Sequence, residues 1–217
     1  MLNGKKLSLL FALFIGLLVG VNLLGGKVIG FFGISSSVGI FMVPLTFLIT
    51  DIVEEVYGRE TAGRFISGGI IVLIVIFAYT LIFTALPSHS RYLYNDEYRI
   101  IFGSSLRMIG ASLVAFILSQ YHDVWAFEFW KKRTQGKALW LRNNLSTIVS
   151  QGIDTFVFMM IAFYRISPTF TFTFVLQMSL PYYALKICFA ILDTPFVYLG
   201  VKWLKKEASS TLSLAQE

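Results

Sequence analysis

The chain has 217 residues, of which 56% are hydrophobic, 16% aromatic and 14% charged, with a formal charge of +6 and a mean hydropathy of +0.73. Soluble domains are about 45–50% apolar and about 25% charged, so a soluble globule is excluded for want of polar surface, and disorder is excluded because it requires low hydrophobicity. What remains is an all-α polytopic membrane protein: the alternation of a membrane barrel is absent, and helices satisfy their backbone groups inside lipid.

Six spans are predicted, each near the roughly 20 residues that cross a bilayer. The first covers 7–24, behind Lys5 and Lys6. This start resembles a signal peptide, but no small-x-small cleavage site follows the run, so it reads as a retained helix. Asn22 lies near its end, and Gly25 and Gly26 close it as turn formers. The second span, 38–57, opens at Val38, contains Pro44, and carries Asp51. Behind Asp51 come Glu54 and Glu55. Glu55 pairs with Arg59 at i+4, which makes the two glutamates a cytoplasmic cap and leaves Asp51 as the deeper functional candidate.

The third span, 64–86, includes the least polar stretch of the chain, and the fourth, 104–128, contains Arg107 and Asp123. The fifth, 144–164, contains Asp154, and the sixth, 180–203, contains Lys186 and Asp193. Residues 172–180 are also apolar, so the last hydrophobic stretch exceeds one crossing. Pro181 is expected to start or kink the helix, with the preceding piece interfacial or re-entrant. Residues 1–204 form one transmembrane domain, and 205–217 form a polar tail without apolar periodicity, expected to be disordered.

An even number of spans puts both termini on one side. That side collects twelve Lys and Arg residues, against four (Lys27, Arg91, Arg99 and Arg165) on the other. The bias makes both termini cytoplasmic and accounts for the positive charge without a nucleic-acid partner.

Each ionisable group inside a span costs roughly 2.5–3.5 kcal/mol at the bilayer centre. Facing lipid, all six would exceed the stability of an ordinary domain, so they face inward. The functional reading is a transport or ligand site; the plain alternative, interhelical ion pairing, stays open for any single residue. A short repeat sharpens the first reading. Ser119-Gln120-x-x-Asp123 recurs as Ser150-Gln151-x-x-Asp154, each behind an Arg (Arg107, Arg142) and a Ser (Ser112, Ser146). Gln and Asp at i, i+3 share a helix face and suit a polar planar ligand, although common helix-bridging residues could match by chance.

Other chemistry is thin. Cys188 stands alone, so it makes neither an internal disulfide nor a metal site. His122 beside Asp123 has no metal-ligand spacing, and His89 lies in an outer loop. No nucleophile–base pairing and no phosphate-binding loop is readable. No enzyme activity, metal or cofactor is expected.

Over residues 20–200 the chain resembles the queuosine precursor transporter family, also known as the vitamin uptake transporters. The resemblance rests on Asn22-Leu-Leu-Gly-Gly-Lys27, on Pro44-Leu-Thr-Phe-Leu-Ile-Thr-Asp51 with Glu54-Glu55-Val-Tyr-Gly58, and on Arg107-x-x-x-Ala111-Ser112 leading to Ser119-Gln120-x-x-Asp123. It continues through Trp140-Leu-Arg142-Asn143, Ser146-Thr147, Ser150-Gln151-x-x-Asp154, Lys186 and Leu192-Asp193-Thr194-Pro195. It implies a six-helix inner-membrane importer whose fold is similar to the substrate-binding subunits of energy-coupling-factor vitamin transporters. The implied cargo is a 7-deazaguanine base, such as the 7-cyano or 7-aminomethyl form, or queuine or queuosine, destined for tRNA modification.

Such a cargo suits the residues. A carboxylate accepts paired N–H donors from a guanine-like edge, amides read the carbonyl and ring nitrogen, and aromatics stack on the base. The expected cavity lies among the second, fourth, fifth and sixth helices. Asp154 and Asp51 are the leading acceptors, Gln120 and Gln151 orient the base, and Asn22 joins the binding set. Arg107 and Lys186 balance the carboxylates, while Asp123 and Asp193 are ion-pair partners or proton carriers. Rival readings are a vitamin-binding subunit that needs an ATP-driven energising partner, and a non-transport scaffold. A homodimer with a site at its seam also stays open.

Overall fold

The computed structural model describes residues 4–31, 34–133, 139–192 and 194–214. Among them are seven α-helices: α1 Lys5–Leu24, α2 Val43–Tyr57, α3 Arg59–Ala85, α4 Asn95–Arg133, α5 Leu139–Phe163, α6 Phe172–Leu192 and α7 Thr194–Leu214. Two short strands, β1 Val28–Phe31 and β2 Ile34–Ser37, pair antiparallel between α1 and α2. Stretches in α1, in α3 (Glu60–Ala85) and in α4 (Asn95–Ser119) are long and apolar enough to cross a membrane.

The predicted second span begins differently. Residues Val38–Phe41 form a 3-10 turn, capped by the Ser37 hydroxyl, which accepts from the Gly39 N–H. The α-helix starts only at Val43, with Pro44 in its first turn, where a missing N–H costs nothing. Its other end is a one-residue connection. Gly58 adopts φ +82°, a conformation that side chains resist, and its N–H closes α2 on the Glu54 carbonyl at 2.8 Å. Glu55 and Arg59 therefore lie on different helices, and the side chain of Arg59, on which the expected pair rests, lies outside the described residues. An ion pair of that spacing joins Glu60 and Arg64 on α3 at 2.7 Å, in the open.

The sixth span begins earlier than expected: helix α6 starts at Phe172 and contains Pro181 within it. Helix α7 covers Thr194–Leu214, and Asp193 between the two lies outside the described residues. Helix α7 continues to Leu214, well into the segment expected to lack structure. Gly25 and Gly26 form the turn that closes α1, as expected, and they are also close-approach positions. A Cβ at Gly25 would meet the Val21 carbonyl at 2.3 Å, and one at Gly26 would meet the Ser104 hydroxyl at 2.8 Å.

Apolar packing is concentrated in two clusters. One gathers Leu7, Leu10 and Phe14 of α1, Ile49, Ile52 and Val53 of α2, Phe65 of α3 and Leu204 of α7. The other gathers Ile40, Met108 and Ala111 with Met159 and Phe163 of α5 and Val175, Met178 and Tyr182 of α6. The first joins the start of α1 to the end of α2; the second joins the end of α5 to the start of α6. Helices in lipid gain little from apolar burial and rely on close contact through small residues. Gly69 serves this purpose: a Cβ there would come within 2.6 Å of Leu18 and 3.0 Å of Phe14. Gly200 of α7 does the same against Ile52. Lys6 completes the α1–α7 contact, donating to the Trp203 carbonyl at 2.5 Å with its ammonium 4.6 Å from the centroid of that ring.

Candidate functional site

Helices α4 and α5 form the most extensive contact in the bundle. Their antiparallel register is fixed at two levels. Arg107 of α4 donates to the Ile161 carbonyl at 2.6 Å and to the Tyr164 carbonyl, at the far end of α5. Further along, His122 Nδ1 lies 3.3 Å from the Ser150 hydroxyl. This register sets the Ser119-Gln120 turn of one repeat level with the Ser150-Gln151 turn of the other.

The charged centre lies on α5 and α6. Lys186 Nζ donates to Asp154 Oδ2 at 2.8 Å, with side chains 9% and 26% exposed respectively. One turn earlier on α6 the Tyr182 ring lies 5.7 Å from the ammonium, and from α2 the Phe47 ring lies 6.0 Å away. Tyr182 belongs to the second apolar cluster, while Ile49 of α2 belongs to the first. The ion pair thus borders the second core, on the side where α2 brings in Phe47. Tyr183 braces it, donating to the Ile148 carbonyl at 2.8 Å. Gln151 is half-buried one turn before Asp154, on the same face. Thr155 is fully buried on that face, and its hydroxyl has no hydrogen-bond partner among the described residues. Asp51 is exposed on α2, four residues beyond Phe47, and so shares the face that Phe47 turns toward Lys186.

Two expected ligands do other work. The hydrogen bonds of Arg107 run to backbone carbonyls rather than to the carboxylate it was expected to balance. A helix end leaves its last carbonyls unpartnered, and a guanidinium is the donor that satisfies two at once. Asn22 is 1% exposed; its amide donates to the Leu18 carbonyl at 2.9 Å and accepts from Ser112 at 2.8 Å. It ties α1 to α4. The side chains of Gln120 and Asp123, and Asp193 as a whole, lie outside the described residues. Sequence reasoning passed over Phe47 and Tyr182; the i, i+4 spacing of Phe47 and Asp51 was the available signal.

The family model described as "Putative vitamin uptake transporter" matches residues 37–200. The chain belongs to that family. A probable queuosine precursor transporter of Bacillus subtilis is 30% identical over 89% of this chain and 83% of its own length. The queuosine precursor transporter of Escherichia coli is 26% identical over 73% of this chain and 69% of its own. No solved structure matches. A family of transporters agrees with the long apolar helices.

Proposed function

We propose that this chain imports queuosine precursors across the inner membrane, taking 7-deazaguanine bases such as the 7-cyano or 7-aminomethyl form, or queuine or queuosine. Kinship with the queuosine precursor transporters carries this reading, and the half-buried Asp154–Lys186 pair supplies its chemistry. The guanine-like edge presents adjacent N–H donors, and the Asp154 carboxylate accepts two of them as a charge-assisted pair. Gln151, one turn away, offers both a donor and an acceptor to the rest of that edge. Lys186 keeps the empty site electrically neutral, and Asp51 serves the cargo from α2.

Six crossings support the import path. Helices α6 and α7 together make the last crossing, since α7 reaches Lys6 at the start of α1. With the bias of basic residues, both termini then lie in the cytoplasm.

The test is uptake of labelled 7-deazaguanine bases by cells that cannot make them. Asp154→Asn, at parental abundance in the membrane, is expected to abolish uptake; uptake equal to the parent overturns the assignment. Uptake by the purified protein in liposomes separates a self-sufficient carrier from a subunit that needs an ATP-driven partner.

A further inference from the structure

Two aromatic rings face the Lys186 ammonium, and they differ in one decisive respect. Tyr182 is 3% exposed and locked into the second apolar cluster, whereas Phe47 is 39% exposed. The Lys186 side chain is only 9% exposed, so Phe47 sets an accessible ring beside a largely buried charge. Its spacing is also loose. Where a lysine rests directly on an aromatic face in this protein, as Lys6 does on Trp203, the separation is 4.6 Å; from Lys186 to Phe47 it is 6.0 Å. A planar ring between an ammonium and an aromatic face needs two contact distances of about 3.5 Å, roughly 7 Å in all. The existing gap is about 1 Å short, within reach of a lysine rotamer adjustment.

We propose that Phe47 is the stacking platform of the cargo site. The planar base lies on the Phe47 ring, the Lys186 ammonium covers its other face, and Asp154 accepts its N–H edge. This rests on the importer reading and goes beyond it by assigning a residue and a binding pose. The platform recognises the flat π-face and leaves the 7-substituent unread, while Asp154 reads the edge. Flat heteroaromatics with adjacent N–H donors therefore bind, and non-planar analogues with the same donors do not. Because Phe47 comes from α2 while Asp154 and Lys186 come from α5 and α6, a bound base bridges the three helices.

The experiment compares Phe47→Leu, Phe47→Tyr and Phe47→Trp at matched membrane abundance, using labelled 7-cyano-7-deazaguanine. Stacking on an aromatic residue is a large enough effect that Phe47→Leu is expected to raise the KM for uptake about tenfold or more. Phe47→Tyr should stay within about twofold of the parent. In detergent, Phe47→Leu should retain the parental melting temperature without ligand and lose the rise that the base gives the parent. Equal KM for Phe47→Leu and the parent overturns the platform, as does a loss in Phe47→Tyr that matches the loss in Phe47→Leu. Should Phe47→Leu fail to fold, the Tyr and Trp variants still decide: an aromatic residue in place with no ligand-induced stabilisation overturns it. A parent that takes up no base refutes the importer reading instead, so the two failures are distinct.

Discussion

Removing the two charges of the central pair separately and together distinguishes a cargo site from a helix lock. Asp154→Leu leaves Lys186 without its carboxylate, and Lys186→Met leaves Asp154 without its ammonium. Breaking a buried pair on one side costs about 3–5 kcal/mol, because a charge is stranded away from water. The two variants should not be equal. The Lys186 side chain is 9% exposed and that of Asp154 is 26% exposed, so the stranded lysine is the more costly and Asp154→Leu the less stable variant. For a chain of this length, 1 kcal/mol moves the melting temperature by roughly 2–4 °C, so the single variants should fall by about 6–20 °C in detergent. The double variant strands nothing. Replacing a whole buried pair with apolar side chains is often neutral or stabilising, and it should melt within a few degrees of the parent. Uptake should nevertheless be lost in the double variant, because the cargo has no acceptor. If the double variant folds and transports like the parent, the pair only holds helices together and the site is elsewhere. If neither single variant is destabilised, the pair is not buried as described.

Arg107→Met should lower the melting temperature by about 4–10 °C, the loss of two charge-assisted bonds to the α5 end, while base affinity in folded protein stays parental; a selective loss of affinity in calorimetry would mean that Arg107 meets the cargo. Gly200→Ala should cost about 1–3 kcal/mol by overpacking, since its Cβ would fall 2.2 Å from the Ile52 terminal methyl. The companion change Ile52→Val removes that methyl, and chemical denaturation of the double variant should recover most of the loss. Thr155→Val removes a buried hydroxyl without a described partner and should stabilise the empty protein by about 1 kcal/mol. A fall in uptake with that gain would place the hydroxyl on the cargo.

Helix α1 was legible almost to the residue, because a continuous apolar run behind two lysines is both its physical cause and its sequence signature. Helix α6 was not. A proline inside a membrane helix is tolerated when neighbouring groups satisfy the freed carbonyl, so Pro181 looked like a boundary and is none. Arg107 was readable as a costly intramembrane charge, but its partners were not. A carboxylate is the natural expectation, whereas backbone carbonyls become candidates only once the end of α5 is known to lie alongside. Phe47 was hidden for the opposite reason: with 21 phenylalanines in the chain, an aromatic residue in a membrane span carries almost no information until a charge is found against its face.

The position of the pair argues for its purpose. Helix pairing at this level does not require it: His122 meets Ser150 between α4 and α5, and Tyr183 bonds the Ile148 carbonyl between α5 and α6. Neutral groups therefore already set the register on both sides of Asp154. A buried ion pair seldom adds net stability over apolar side chains of similar size, and within either apolar cluster it would have disrupted close packing. It lies instead at the border of the second cluster, where α2 contributes a half-exposed ring and α5 an amide on the shared face. A pair that adds little net stability and that the register does not need is what the proposed cargo site requires. The double variant tests that account directly, since it is expected to preserve the fold while removing the function.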